Sequence, residues 1–410
     1  MSHTFKVAHL DTLHNAFQAW KMNLYFSRPT LQHLASFVTA MLSPTFQGTL
    51  TDVARESYSP RDRRSLSHFL THGKWDTSRL QQISRDLAVQ HTRRVARQHQ
   101  KPLFLSLDDT VCEKTKPSSR ALFPMEVAAY HYAHAKHRKV YGHALVQVLI
   151  QAGDQVFPYA CARYKGKQES KVELAAQLLA NVPVSDTPVY VLMDSWYPSA
   201  YLLDTCLRQG LHVISALKTN RTLYPGGTKQ SIKELAAQIT PEQTDVVTVG
   251  GSTYRVYRYE GALNVPKEGA VVLCWKADEP FECEQVRAFL STDVTLTNEE
   301  ILNYYSKRWA IEVYFRTTKM KLGLDRYQVR SATSLDRFWT VLAFACTFLL
   351  YHSEGKLLEG LQAFHQEHLA HQARWIYEQG RKGLPFEWVQ QQLRIAWKSG
   401  EQVAGGPVWS

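Results

Sequence analysis

Two short apolar runs, each closed by an acid, constrain the fold of this chain more than any other feature. "PLFLSLDDTVCEK" carries its apolar stretch into Asp108-Asp109, and "TPVYVLMDSW" ends in Asp194. Such runs, bounded by polar residues, have the pattern of strands covered on both faces, as in layered α/β domains. Sheets of this kind collect chemistry at the carboxyl ends of their strands, where these acids stand. The neighbouring sequence agrees. "VYGHALVQVLIQAGDQVFPYACARY" reads as two strands joined at Gly153-Asp154, and "ESKVELAAQLLANV" has helical spacing. "PSAYLLDTCLRQG" reads as a helix opened by Pro198 and closed by Gly210, and "LHVISALKTN" as a further strand. A strand hairpin followed by alternating helix and strand predicts an α/β fold with a mixed sheet.

The flanks read differently. Residues 1–98 are helical and basic, with 13 Lys/Arg against 6 Asp/Glu over the first 100 positions. "TLTDVARESYSPRDRRSLSHFLTHGKWD" predicts two short helices joined at Ser59-Pro60, with Arg61, Arg63 and Arg64 opening the second. Such a pair sets a basic helix against DNA, or is the solvated face of a small helical domain. Residues 220–288 interrupt the α/β pattern. "DVVTVGGSTYRVYRYEG" is a hairpin around Gly250-Gly251, with Arg255 and Arg258 each following a tyrosine. The segment reads as an inserted β-rich domain, whose hairpin either touches DNA or is simply amphipathic. The core then comprises 99–219 and 289–334, with a helical region over 335–410.

The formal net charge of +11 favours a polyanionic partner, either nucleic acid or an anionic membrane. The longest apolar run, Val341 to Tyr351, falls short of the roughly 20 residues a bilayer requires and reads as a buried core helix. The N-terminus lacks the continuous apolar core of a secretory signal, and the six cysteines form no CxxC pair. A cytoplasmic, nucleoid-associated protein with no membrane partner is the expectation.

The first acid is ambiguous. On a period of two, Asp109 shares its face with Leu103, Leu105 and Leu107, whereas Asp108 follows Phe104 and Ser106. This favours Asp109, with Asp108 as its rival; a strand-end Asp also serves as a helix cap or turn former. The third element is "YSKRWAIEVYFRTTK". On a continuous helix Tyr305, Arg308, Glu312, Arg316 and Lys319 fall in one stripe about 80° wide, beside a buried face of Ile311, Phe315 and Leu322. A salt-bridged surface explains Glu312 with Arg308 and Arg316, but not three cations to one acid.

These residues carry a resemblance. Tyr305, Arg308, Glu312 and Lys319 match all four positions of the YxxRxxxExxxxxxK signature of DDE-type insertion-sequence transposases, and the chain resembles the insertion-sequence-four superfamily, including its hairpin-forming members. "DDT" at 108–110 resembles the first acidic strand of that family and "VLMDS" the second, and the likeness in order runs from about 50 to 355. It implies a ribonuclease H-like core in which Asp109, Asp194 and Glu312 are catalytic, the acid preceding the Thr being the family's choice. It also implies a β insertion before Glu312, and the 118 positions from Asp194 to Glu312 are enough to hold one. Tyr305, Arg308 and Lys319 would hold phosphates. The implied activity is cut-and-paste transposition: cleavage at terminal inverted repeats and strand transfer into target DNA, by a homodimer bridging two ends.

That chemistry suits these residues. Phosphodiester transfer gains most from placed charge, and two Mg²⁺ ions, with Mn²⁺ as a substitute, prefer hard carboxylate oxygens. Lys218 and Arg221, after a strand, and Arg316, on the stripe, are further candidates for backbone contact. His131, His134, His137 and His143 read as part of a basic loop in preference to a metal site. Trp275 is the one Trp between 220 and 300, either a base-stacking residue or a buried strand position. Two other activities are compatible with the same residues: a catalytically silent DNA-binding descendant and a stand-alone metal-dependent nuclease.

Overall fold

The computed structural model describes residues 9–393 apart from 57–61, 123, 134–135, 167–168, 181, 184, 264–267 and 354–356. Five helices come first: α1 (Leu10–Ala19), α2 (Arg28–Met41), α3 (Leu50–Glu56), α4 (Arg63–Thr71) and α5 (Thr77–His99). Side-chain caps start three of them, Ser27 on α2, Asp62 on α4 and Asp76 on α5, satisfying amides that would otherwise lack partners. The turn read at Ser59-Pro60, and Arg61 with it, lies outside the described residues.

The α/β part follows as β1 (Leu103–Glu113), β2 (Ala129–Ala133), β3 (Arg138–Ala152), β4 (Gln155–Arg163), α6 (Lys171–Leu179), β5 (Val189–Met193), α7 (Ala200–Arg208) and β6 (His212–Leu217). Next come the small β7 (Thr222–Leu223), β8 (Gln230–Ser231) and α8 (Ile232–Ala236), then β9 (Asp245–Val249), β10 (Ser252–Ala262), β11 (Glu268–Lys276) and β12 (Arg287–Ser291). The chain closes with α9 (Asn298–Ser306), α10 (Trp309–Lys321), α11 (Ala332–Ser353), α12 (Leu357–Arg381) and α13 (Phe386–Leu393). The hairpins at Gly153 and at Gly250-Gly251 form as read. Both glycines of the second have positive φ, which its two-residue turn requires.

The sheet is mixed, in the order β2-β3-β1-β5-β6-β12-β11-β10-β9, with β4 paired to the far half of β3. β1, β5 and β6 run parallel to one another, and the remaining pairings are antiparallel. The segment read as an insertion therefore shares this sheet: β9, β10 and β11 extend it through β12, and only β7 with β8 forms a separate pair. Pairing register acts between residues far apart in sequence, so local periodicity shows strands without showing which sheet they join.

Helices cover both faces. On one, α6 and α7 pack against the strands; on the other lie α9, α10 and α11, while α5 packs against β4 and α11. α11 is long and apolar enough to cross a bilayer, but most of it is buried within the protein, where Phe338, Phe344 and Phe348 are among the largest fully enclosed side chains. The N-terminal helices pack on it, with Trp20 edge-on to Phe344 and the Arg337 guanidinium over Trp75.

Candidate active site

The site is built at the carboxyl end of β5 and midway along β1, where the pairing of the two strands stops. Their parallel register pairs Leu107 with Met193, so Asp108 and Asp194, each the next residue, emerge side by side. Asp108 belongs to the face of Phe104, whose ring packs edge-on against Tyr304 of α9 at 5.1 Å. It therefore faces the helices that carry the signature. The Arg308 guanidinium donates to Asp108 Oδ2 at 3.0 Å and also to Glu312 Oε1, tying β1 to the first turn of α10. Burial, and the negative charge of Asp194 beside it, push the Asp108 carboxyl up to about 7, against the opposing pull of Arg308.

Asp109 is turned the other way. Its Oδ2 accepts from Lys171 Nζ at 2.5 Å and its Oδ1 from Tyr197 Oη at 2.9 Å. Burial, with the nearby carboxylates of Asp109, Asp108 and Asp194, holds the Tyr197 proton well above the ordinary range, keeping this hydroxyl a donor. Of the two acids, then, Asp108, the rival in the sequence reading, shares the face of Asp194 and Glu312, and Asp109, the preferred one, faces Lys171 and Tyr197. The alternation read from sequence was sound. The face of Leu103, Leu105 and Leu107 is the one covered by α6 and α7, and an acid on that face meets those elements.

The helix bearing Glu312 departs from the expected single rod. α9 ends at Ser306 and α10 begins at Trp309, and the link is tightened by i to i−3 bonds, among them Arg308 N to Tyr305 O and Ile311 N to Arg308 O. Tyr305 still lies beside the cluster, its ring 4.7 Å from Phe289 and within 5.9 Å of the Arg308 guanidinium. Lys319 donates to the Val111 carbonyl at 3.0 Å, which docks α10 along β1. Arg316 is exposed. Arg258, read as a surface residue of the hairpin, is spent on the Leu296 and Val294 carbonyls and so anchors the entry to α9.

Other candidates scatter. Lys218 is exposed in the loop after β6, and Arg221 donates to the Pro198 carbonyl at 2.5 Å. Arg63 and Arg64 are exposed in the first turn of α4. His143 bonds Tyr327 Oη and the Glu126 carbonyl, on the opposite face of the sheet from His131, so these two histidines cannot share a metal. His134 lies outside the described residues. Trp275 is buried, stacked on Phe281 and donating to the Glu282 carbonyl, which leaves no face for a base. Lys171 and Tyr197 were not singled out from sequence. Neither carries a sequence signal, since their bonds to Asp109 join residues 88 and 62 positions apart.

The acidic donor set suits a hard divalent cation: a cation beside Asp108 and Asp194 would offset the burial and the repulsion that disfavour the Asp108 charge. Among the described residues no three ligating side chains stand at coordination distance in this arrangement. Arg308 supplies the positive charge between Asp108 and Glu312.

A search for similar curated proteins finds no match. Residues 99–348, more than half of the chain and the span from β1 into α11, match the family model of the transposase DDE domain, and the chain belongs to that family of transposases.

Proposed function

We propose that this protein is a cut-and-paste DNA transposase with a ribonuclease H-like core, in which Asp108, Asp194 and Glu312 hold divalent metal. One observation carries the reading: two acids stand side by side where the parallel pairing of β1 and β5 stops, on the face to which α10 brings Glu312. Mg²⁺, when bound, activates the attacking oxygen of a phosphodiester transfer and stabilises the leaving one.

The chain's own residues do the rest. Asp108 and Asp194 place negative charge at one point, and Arg308 sets the spacing between that point and Glu312. Tyr305, Arg308 and Lys319 lie along α9 and α10 beside the acids, where they would clamp phosphates of the cleaved end. Arg316, Lys218, Arg221, Arg63 and Arg64 would bind backbone further out, Arg316 and the α4 pair with side chains already exposed. Residues 1–98 would dock the terminal repeats, and a homodimer would bridge two ends.

The test uses the full chain with linear DNA bearing the inverted repeats that flank its reading frame. In Mg²⁺, wild-type protein is expected to release the element and join it to target DNA. Asp194→Ala and Glu312→Ala are expected to bind the ends while losing cleavage by about 10³-fold or more. Wild-type cleavage by Glu312→Ala would sink the assignment, and degradation without joined products would make the protein a nuclease.

A further inference from the structure

β2 is an edge strand of the large sheet, and two of its side chains are large, aromatic and exposed. Tyr130 is 58% exposed and Tyr132 48%. Edge strands usually blunt such surfaces with charge. Here the register sets their direction. Asp108 pairs with Gln147 across β1 and β3, and Tyr130 with Tyr141 across β2 and β3. Paired residues share a face and alternate residues of a strand return to it, so Tyr130, Tyr132, Tyr141 and Lys139 lie on the sheet face of Asp108. Tyr141 O accepts from Lys114 N, six positions along the chain from Asp108, or about 20 Å of strand.

The chemistry of that strip is aromatic and cationic. Tyr130 and Tyr141 pack edge-on at 5.5 Å, and Lys116 Nζ lies 5.6 Å from the Tyr130 ring. Lys139 is the cross-strand partner of Tyr132 and is exposed. The acid at this end of β1, Glu113, is on the opposite face, where Lys136 and Arg138 neutralise it. An adjoining groove of about 780 Å³ is lined by Lys114, Arg326 and Arg330, with no carboxylate among its described lining residues.

We propose that Tyr130 and Tyr132 stack on unpaired bases of a DNA strand whose backbone is held by Lys116 and Lys139, about three extended nucleotides from the phosphate at the acid cluster. The inference rests on the reading of this chain as acting on DNA. Two features select an unpaired strand. Alternate residues of one strand stand about 7 Å apart, a spacing that extended bases can match and stacked duplex bases, 3.4 Å apart, do not. Sheet-borne aromatics beside cations are the platform on which single strands stack. The positive charge of the strip and its groove suits the backbone of either form.

The experiment measures binding, without metal, of the full chain to a labelled oligo-dT strand of about 20 nucleotides and to a duplex of equal length. Tyr130→Ala and Tyr132→Ala are each expected to weaken single-strand binding about tenfold or more, with duplex binding unchanged, and the Phe variants to restore it. Lys116→Ala and Lys139→Ala are each expected to flatten the salt dependence for the single strand by about 0.7 in log–log slope. Unchanged single-strand binding by both tyrosine variants overturns the proposal and leaves the transposase reading standing. A change in sedimentation of the DNA-free protein on replacing these tyrosines overturns it in favour of an edge that pairs with a second copy. Wild-type protein that binds neither DNA overturns both.

Discussion

Asp108 meets two opposed demands, since burial and Asp194 disfavour its charge while Arg308 favours it. With its carboxyl pushed up to about 7, the folded protein keeps a proton that the unfolded chain loses near pH 4. The metal-free protein is therefore expected to lose stability as pH rises from about 4 to 7 and to level off above that. Asp108→Asn removes this cost, so its melting temperature is expected to gain on wild type as the pH passes from 5 to 8; parallel melting profiles would contradict the account. Metal binding must displace the same proton. Apparent Mg²⁺ affinity, measured by calorimetry, is accordingly expected to rise up to about pH 7 and then flatten. On the covered face Asp109→Asn leaves Lys171 without its partner, and a loss of about 2 kcal/mol in denaturant unfolding is expected.

At the scale of elements, the strands were legible because their apolar runs are bounded by turn residues, as at Gly153-Asp154 and Gly250-Gly251. The acids that close those runs were legible for the same reason, although β1 continues past Asp108-Asp109 to Glu113. The choice between Asp108 and Asp109 was not, because alternation tells which residues share a face and is silent on what covers it. Nor was the break between α9 and α10, since Lys307 and Arg308 keep helical dihedrals and only the hydrogen bonding tightens. Arg258 looked like a surface cation, and its bonds to the Leu296 and Val294 carbonyls are set by tertiary contact alone. Arg258→Ala is expected to cost about 1–3 kcal/mol in chemical denaturation, whereas Arg255→Ala stays within about 0.5 kcal/mol of wild type. Equal effects would mean that Arg258 does not hold the entry to α9.

Across the whole molecule, the sheet runs unbroken from β2 to β9, and the acids sit near its middle. Its far strands share a core with the α9 region: Val256, Ala270, Val272 and Cys274 pack with Phe104, Tyr190, Ile301 and Leu302. Deleting residues 245–276 is therefore expected to abolish the cooperative thermal transition; a retained transition would show that the segment behaves as an independent insertion. The central claim concerns the acid that acts with Asp194 and Glu312, and cleavage of an end-bearing DNA in Mg²⁺ by Asp108→Asn and Asp109→Asn proteins tests it most directly. The account predicts that Asp108→Asn binds the ends and cleaves nothing, while Asp109→Asn keeps measurable cleavage. Cleavage by Asp108→Asn, with none by a folded Asp109→Asn protein, would contradict it.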